Sequence, residues 1–259
     1  MTTAKKTMHL GAFLFATGHH VAAWRHPDAE SRSGFDFNHY LQLAKRCEEA
    51  CFDFIFLEDG VGIREPDLQI ASQTARAAHF EPLTLVAAIA TNTSQIGLIG
   101  TVSASYNEPY NLARSIASLD HLSSGRAGWN LVTSTTDLEA QNFGLDSQRL
   151  HCERYERAEE FVDVVKGLWQ SYESDALVLD RAAGLYYASE KLHPLNHQGT
   201  HFQVRGPLNS FRSPQGQPLI VQAGASESGL SLAARSADMV FSASQTLEEG
   251  RRYYQSLKD

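Results

Sequence analysis

The chain has 259 residues, of which 42% are hydrophobic and 20% charged, and its formal net charge at pH 7 is −8. This composition predicts a folded globular protein, with residues 1–259 forming one large domain. A negative charge without a compensating Lys/Arg run excludes nucleic acid and anionic membranes as expected partners. No stretch reaches the roughly 20 apolar residues that span a bilayer, so a soluble protein is expected.

Six apolar stretches of strand length alternate with helical patterns, which is typical of a mainly parallel α/β fold. The strands are expected at residues 9–15, 52–58, 96–102, 127–133, 218–223 and 239–242. Glu81-Pro82 and Glu108-Pro109, 27 residues apart, each place a proline where a helix can begin. This recurrence of βα units favours a barrel or a doubly wound sheet.

The first helix is expected after Asp36, a residue type that caps helix starts. Cys47 and Cys51 extend the buried face of this helix, and we expect two small buried residues there rather than a metal or redox pair. With Cys152, the cysteines number three, which argues against a disulfide scaffold and for a reducing compartment. The expected location is therefore the cytoplasm.

Polar side chains fall near the expected ends of three strands. Asp59 follows the second strand, Thr101 lies near the end of the third, and Asn130 lies within the fourth. In a barrel these positions face the active-site mouth, so the three side chains are expected to converge. His19 and His20 follow the first strand, where each is either a residue of the mouth or a solvated loop residue.

A helix expected from 149 to 172 carries a buried stripe that continues backwards onto Tyr155 and His151. The free N–H groups and the dipole of a helix start favour an anion, so a bound phosphate would suit these two rings. The alternative, that they close the edge of the core with their polar tips in water, is equally compatible with the pattern.

A Gly/Ser-rich turn follows the fifth strand at residues 222–229, and a helix begins there. Ser226, Ser228 and Gly229 would let backbone N–H groups and hydroxyls approach a phosphate. The turn is also compatible with a simple tight connection.

The stretch 173–217 breaks the alternation and is much longer than an ordinary connection of roughly 4–6 residues, which predicts an insertion or a lid. It contains His193, His197 and His201 at a spacing of four, but Pro194 interrupts any helix, and a polar loop without a metal is expected. A helix is expected at 247–257, after the sixth strand.

Several motifs together resemble the nitrilotriacetate monooxygenase and dibenzothiophene sulfone monooxygenase branch of the bacterial luciferase-like superfamily. The similarity runs from about residue 8 to the end of the chain. Its blocks are GLIGT at 97–101, EPY at 108–110, AR at 113–114, LDHLSSGR at 119–126, WNLVTS at 129–134, RYERA at 154–158, HPLNH at 193–197, GPLN at 206–209 and QAG at 222–224.

The resemblance implies a TIM-like (β/α) barrel that takes reduced FMN from a separate NAD(P)H-dependent flavin reductase and inserts one atom of O2 into a small organic substrate. It also implies a homo-oligomer. In this family pattern, the flavin is lined by Asp59, Thr101 and Asn130. Its phosphate end is held by His151, Tyr155, Ser226 and Ser228 or Gly229. The flavin carries the chemistry, and no separate catalytic residue is identified.

About six of the eight βα units of a barrel are accounted for, so the barrel is expected to be truncated at its C-terminus. Two alternatives to a monooxygenase therefore stay open at this point. One is a non-catalytic flavin-binding protein of the same fold, and the other is an oxidoreductase that uses a deazaflavin.

Overall fold

The computed structural model describes residues 7–224 and 226–258. Its centre is a six-stranded parallel sheet, formed by β1 (Gly11–Phe13), β2 (Phe54–Leu57), β3 (Gly97–Ser103), β4 (Ala127–Val132), β9 (Leu219–Ala223) and β10 (Met239–Phe241). The strands lie in the sheet in chain order, β1-β2-β3-β4-β9-β10, and β5 to β8 belong to the long segment between β4 and β9. All six predicted strands are confirmed, and so is the (β/α) barrel fold with six βα units.

Alternation along the strands sends one set of side chains into the concave face of the sheet and the other set towards the helices. On the concave face the ring of Phe13 lies 4.9 Å from Phe56 and 5.9 Å from Phe241, measured between centroids. Because Phe13 belongs to the first strand and Phe241 to the last, the sheet must curve strongly to bring them together. This is the curvature of a barrel wall.

The helices cover the convex face, where Trp129, Leu131 and Ile220 are completely buried against them. They are α1 (Phe37–Glu49), α2 (Leu68–Ala71), α3 (Pro82–Ala90), α4 (Pro109–Ser123), α5 (Asp137–Gln141), α6 (His151–Trp169), α7 (Glu227–Ser236) and α8 (Leu247–Ser256). Pro82 and Pro109 begin α3 and α4, as the sequence predicts. In the described part of the chain, no helix combines the length and apolarity needed to cross a bilayer.

The start of α1 agrees with the sequence, but its end does not. The Asp36 carboxylate accepts a hydrogen bond from the backbone N–H of Asn38 and caps the helix. The helix ends at Glu49, and Cys51 follows in a left-handed conformation (φ 60°) with an exposed side chain. The expectation that Cys47 and Cys51 are two buried residues of one helical face is therefore wrong: the helix turns away before the second cysteine, and Cys47 is only partly buried.

The irregular stretch 173–217 folds into two small hairpins, one from β5 (Leu177–Asp180) and β6 (Leu185–Tyr187) and one from β7 (His197–Gln198) and β8 (Gln203–Val204). Its contacts run along α4 and α6. The Tyr110 hydroxyl donates to Pro207 O (3.2 Å), and the Glu160 carboxylate accepts from the backbone N–H of Phe202 (2.8 Å). The segment thus packs on the outside of these helices, while its role as a lid stays a prediction.

Candidate functional site

A cleft of about 340 Å³, here called the central cleft, opens at the carboxyl edge of the sheet. In an open or closed α/β barrel, the strand ends at this edge carry the ligand-binding groups. The polar and charged residues that line the cleft are Glu58, Asp59, Arg64, Thr101, Ser103, Asn130, Thr133, Ser134, Thr135, Thr136 and Glu139. Asp59, Thr101 and Asn130, which the sequence predicts to converge, all lie in its wall.

Thr101 and Asn130 form a buried polar pair on the floor of the cleft. They face each other across β3 and β4, where Asn130 Nδ2 donates to Thr101 Oγ1 (2.8 Å) and Thr101 Oγ1 donates to Leu57 O (2.7 Å). Asn130 is only 3% exposed, yet its Oδ1 has no hydrogen-bond partner in the described structure. A buried acceptor left unpaired is costly, so this oxygen is suited to an N–H donor of a bound ligand.

Asp59 lies beside a histidine that sequence reasoning missed. Its Oδ1 is 3.1 Å from His79 Nε2. This hydrogen bond is the main reason why the pKa of His79 is raised above its usual range, although burial acts in the opposite direction. His79 comes from the loop before α3, so no local spacing links it to Asp59.

Glu139 is a second side chain of the cleft wall that sequence reasoning missed. It is nearly buried, and its carboxylate accepts from the backbone N–H groups of Thr135 and Thr136, both at 3.1 Å. Burial alone would raise the pKa of Glu139, but hydrogen bonds from Thr136 and Thr135 bring it below its usual range. The signal was present: Thr136 and Glu139 form a capping box at the start of α5.

The second predicted group lies where α6 and α7 begin. The rings of His151 and Tyr155 lie in contact in the first turns of α6, with centroids 4.6 Å apart and planes inclined by 36°. Ser226 caps α7, and its Oγ accepts from the N–H of Gly229 (3.1 Å). A Cβ at Gly229 would lie 3.1 Å from both Tyr155 Oη and Ser226 Oγ, so only glycine leaves these hydroxyls room. We call His151, Tyr155, Ser226 and Gly229 the helix-start cradle; Ser228 lies beside it in the first turn of α7.

Tyr253 of α8 binds the turn that leads into the helix-start cradle, a contact that no sequence pattern indicated. Its hydroxyl donates to Gly224 O (2.7 Å), at the end of β9. Burial, and to a smaller extent the neighbouring Tyr155, raise the pKa of Tyr253. Arg154, also in the first turn of α6, donates to Ser134 O in the wall of the central cleft (2.7 Å). The central cleft and the helix-start cradle therefore lie at the same edge of the sheet.

Of the other candidate residues, His19 and His20 are not among those that line this cleft. His19 Nε2 is 3.0 Å from Phe13 O, and His20 lines a neighbouring cavity described below. In the long stretch, His193 and His197 pair with different carboxylates, those of Glu173 and Glu160. Within residues 7–224 and 226–258 no group of three His, Cys, Asp or Glu side chains is arranged to hold a metal ion.

A curved parallel sheet with a polar cleft at its carboxyl edge and a cradle between two helix starts defines a ligand-binding (β/α) barrel protein. The family model described as "Luciferase-like monooxygenase" matches residues 13–259, and the chain belongs to this family. The resemblance inferred from the sequence motifs is thereby confirmed.

Two curated relatives cover nearly all of the chain. It is 49% identical over 259 residues to N-acetyl-S-(2-succino)cysteine monooxygenase of Bacillus subtilis (strain 168), covering 100% of this chain and 58% of that protein. It is 47% identical to nitrilotriacetate monooxygenase component A of Aminobacter aminovorans, covering 98% of this chain and 58% of that protein. The chain thus spans less than two thirds of the length of these relatives.

Among solved structures, a long-chain alkane monooxygenase matches with a TM-score of 0.92 and 36% identity, covering 98% of this chain and 60% of that one. The EDTA monooxygenase of Chelativorans sp. BNC1 matches with a TM-score of 0.87 and 35% identity, covering 97% of this chain and 59% of that one. The fold of this chain is therefore that of the corresponding part of these two monooxygenases.

Proposed function

We propose that this chain forms the flavin-binding part of a flavin-dependent monooxygenase. In this proposal it receives reduced FMN from a separate NAD(P)H-dependent reductase and uses O2 to oxidise a small organic substrate. The reduced flavin supplies two electrons, one oxygen atom enters the substrate, and the other leaves as water. The observation that carries the proposal is the buried, unpaired Asn130 Oδ1 in a cleft at the same edge as a cradle between two helix starts.

The residues present fit a flavin at both ends. In the central cleft, Asn130 Oδ1 is suited to accept from an N–H of the flavin ring, while Thr101 and Asp59 complete the polar wall. At the helix-start cradle, the hydroxyls of Tyr155 and Ser226 and the free N–H groups of α7 suit a phosphate dianion. The aromatic side chains of Phe13, Phe56 and Phe241 border the cleft and would give a bound flavin an apolar wall.

A comparison of FMN with riboflavin tests the cradle, because only FMN carries the phosphate. Replacing Tyr155 by Phe and Ser226 by Ala together should weaken FMN binding at least tenfold, about 1.4 kcal/mol, and change riboflavin binding little. Fluorescence titration of both flavins measures this. Unchanged FMN affinity, or an equal loss of affinity for both flavins, would show that the helix-start cradle does not bind the phosphate.

A matched control separates phosphate binding from helix capping. Asp36 caps α1 as Ser226 caps α7, and its carboxylate accepts from the N–H of Asn38 (2.8 Å). Asp36→Ala therefore removes a cap without touching the cradle, and it should leave the ratio of FMN to riboflavin affinity as in the wild type.

Formation of an oxygenated product distinguishes the monooxygenase from a flavin-binding protein without turnover. With chemically reduced FMN, O2 and a panel of organic compounds, a monooxygenase yields an oxygenated product, whereas a non-catalytic binder only captures the flavin. The panel follows the substrates in the names of the relatives: N-acetyl-S-(2-succino)cysteine, nitrilotriacetate, dibenzothiophene sulfone and a long-chain alkane. A parallel titration with a deazaflavin tests the alternative that the chain belongs to a deazaflavin-dependent oxidoreductase.

The predicted homo-oligomer is tested separately, by measuring the molar mass of the chain in solution by light scattering.

A further inference from the structure

A second cavity, here called the side cavity, adjoins the central cleft. It has a volume of about 250 Å³ and lies between the segments that follow β1 and β2. Glu58, Gly60 and Arg64 line both this cavity and the central cleft. A small molecule in the side cavity would therefore be next to whatever occupies the central cleft.

Most of the wall of the side cavity is apolar, which suits the carbon skeleton of an organic ligand. The apolar side chains come from both segments and from the helices beneath them. They include Phe15, Tyr40, Leu57, Ile63, Phe80 and Leu85. Such a wall provides hydrophobic contact, so the selectivity for one ligand over another depends on the few polar groups that line the cavity.

Arg64 is the most available of these polar groups. Its side chain is 60% exposed, and in the part of the chain that the structure describes it makes no hydrogen bond. Its nearest acidic atom is Glu58 Oε2, 3.7 Å from Nη2, a distance that gives an ion pair but not a hydrogen bond. The guanidinium packs over Gly60, where a Cβ would lie 3.2 Å from Nε. Its forked donors are therefore free to bind a carboxylate in bidentate fashion.

His79 is a second donor in the same wall. Its Nε2 is held by Asp59, which lines the central cleft, so this hydrogen bond crosses the partition between the two cavities. The contact with Asp59 raises the pKa of His79 and so extends the pH range in which the ring carries a proton on both nitrogens. Within the described residues, Nδ1 has no hydrogen-bond partner, so it can donate to a ligand.

The remaining charged groups of the wall are already engaged. Arg76 donates to His19 O and lies over the Phe15 ring, 4.9 Å from its centroid. The Glu65 carboxylate accepts from the N–H of Asp67 (3.0 Å). Arg64 and His79 thus keep unused donors in the wall of the side cavity, beside one loosely paired carboxylate, that of Glu58.

We propose that the side cavity binds an organic acid, with the carboxylate held by Arg64 and by His79 and the carbon skeleton against the apolar wall. This deepens the proposed function, on which it rests, by naming the substrate class of the site. Arg64 is then a specificity-determining residue: it would favour organic acids over uncharged compounds of similar size.

Calorimetry with a charged probe and its uncharged counterpart tests the proposal. The probes are N-acetyl-S-(2-succino)cysteine and its fully methyl-esterified form, each titrated into the chain with and without FMN. We expect the acid to bind at least tenfold more tightly than the ester. Arg64→Gln should weaken binding of the acid about tenfold without affecting the ester, and Arg64→Lys should restore part of the loss.

Arg181→Gln is the matched control, because Arg181 is an exposed arginine of the hairpin turn far from either cavity in sequence and outside their walls. It should bind both probes as the wild type does. Equal binding of acid and ester, no binding of the acid, or acid binding insensitive to Arg64→Gln would overturn the proposal. A separate FMN titration of the wild type and of each variant distinguishes the proposed flavin-dependent function from the proposed acid site. A wild type that does not bind FMN would contradict the proposed function, whereas the results with the Arg64 variants decide the substrate class.

Discussion

Two buried polar side chains, one at each edge of the parallel sheet, differ in how far their hydrogen bonds are satisfied. At the amino edge, the fully buried Asp120 accepts from Ala127 N (3.3 Å), Gln215 N (2.9 Å) and Gln215 Nε2 (2.6 Å). At the carboxyl edge, the almost equally buried Asn130 leaves its Oδ1 without a partner in the described structure. Since unpaired buried acceptors cost stability, we interpret Asp120 as a group that holds the fold and Asn130, which lines the central cleft, as a group that accepts a hydrogen bond from a ligand.

Two arginines, Arg126 and Arg64, show a similar difference. Arg126 donates to Ile96 O (2.7 Å), Ala90 O (3.0 Å) and Ser123 O (2.7 Å), and it thereby ties the end of α3 and the end of α4 to the start of β3. Arg64, at the opposite edge, has one loose ion pair. An arginine whose donors are saturated by backbone carbonyls is a structural element, whereas one with free donors is available for binding.

The largest effect is expected from breaking the amino edge. Asp120→Ala would leave three donors without their acceptor in a buried place, which should lower the free energy of unfolding by about 3–5 kcal/mol. Urea denaturation measures this change. Asp146→Ala, an exposed aspartate, should change stability by less than about 0.5 kcal/mol. A loss of less than about 1 kcal/mol for Asp120→Ala would show that the hydrogen bonds to Asp120 contribute little to the stability of the amino edge.

At the carboxyl edge the balance should be reversed. Asn130→Leu removes the unpaired oxygen together with one hydrogen bond to Thr101, so we expect a loss of stability of about 1 kcal/mol. FMN affinity, however, should fall about tenfold, because the ligand loses a buried acceptor. Denaturation and flavin titration of the same preparation give both numbers. A variant that is strongly destabilised yet binds FMN normally would contradict the contrast between the edges.

Local patterns in the sequence predicted the elements but not the long-range contacts of the site. Asn130 was found because its position in a strand fixes which face it occupies, and the Thr136–Glu139 capping box was readable at a spacing of three. By contrast, the contacts of Asp59 with His79 and of Gly224 with Tyr253 join residues 20 and 29 positions apart. Loop conformation decides these contacts, and a single sequence contains no periodicity that reports it.

The end of α1 shows a similar limit. The apolar spacing continues through Cys51, but the chain leaves the helix at Glu49, and Phe52 N bonds back to Cys47 O (2.9 Å). The left-handed Cys51 turns the chain towards β2. A pattern of apolar residues gives the face of a helix but does not by itself locate its last turn.

The smallest effect concerns the Asp59–His79 pair between the two cavities. The hydrogen bond with Asp59 and, to a smaller extent, the charge of Glu58 raise the folded-state pKa of His79 above the usual 6.5, while burial and Arg64 act in the opposite direction. The pair therefore contributes stability that is fully present below about pH 6.5 and is lost as the pH rises through the higher folded value. Because the His79 side chain is 38% exposed, solvent screening keeps this contribution below about 1 kcal/mol.

The measurement is the difference in unfolding free energy between the wild type and His79→Gln, taken at about pH 5.5 and about pH 9. We expect the larger difference at the lower pH. In an Asp59→Asn background the pH dependence of that difference should shrink, since the carboxylate that stabilises the imidazolium is gone. A difference that grows with pH instead would mean that His79 is held in its neutral form, and Arg64 alone would then supply the positive charge for an acid to bind.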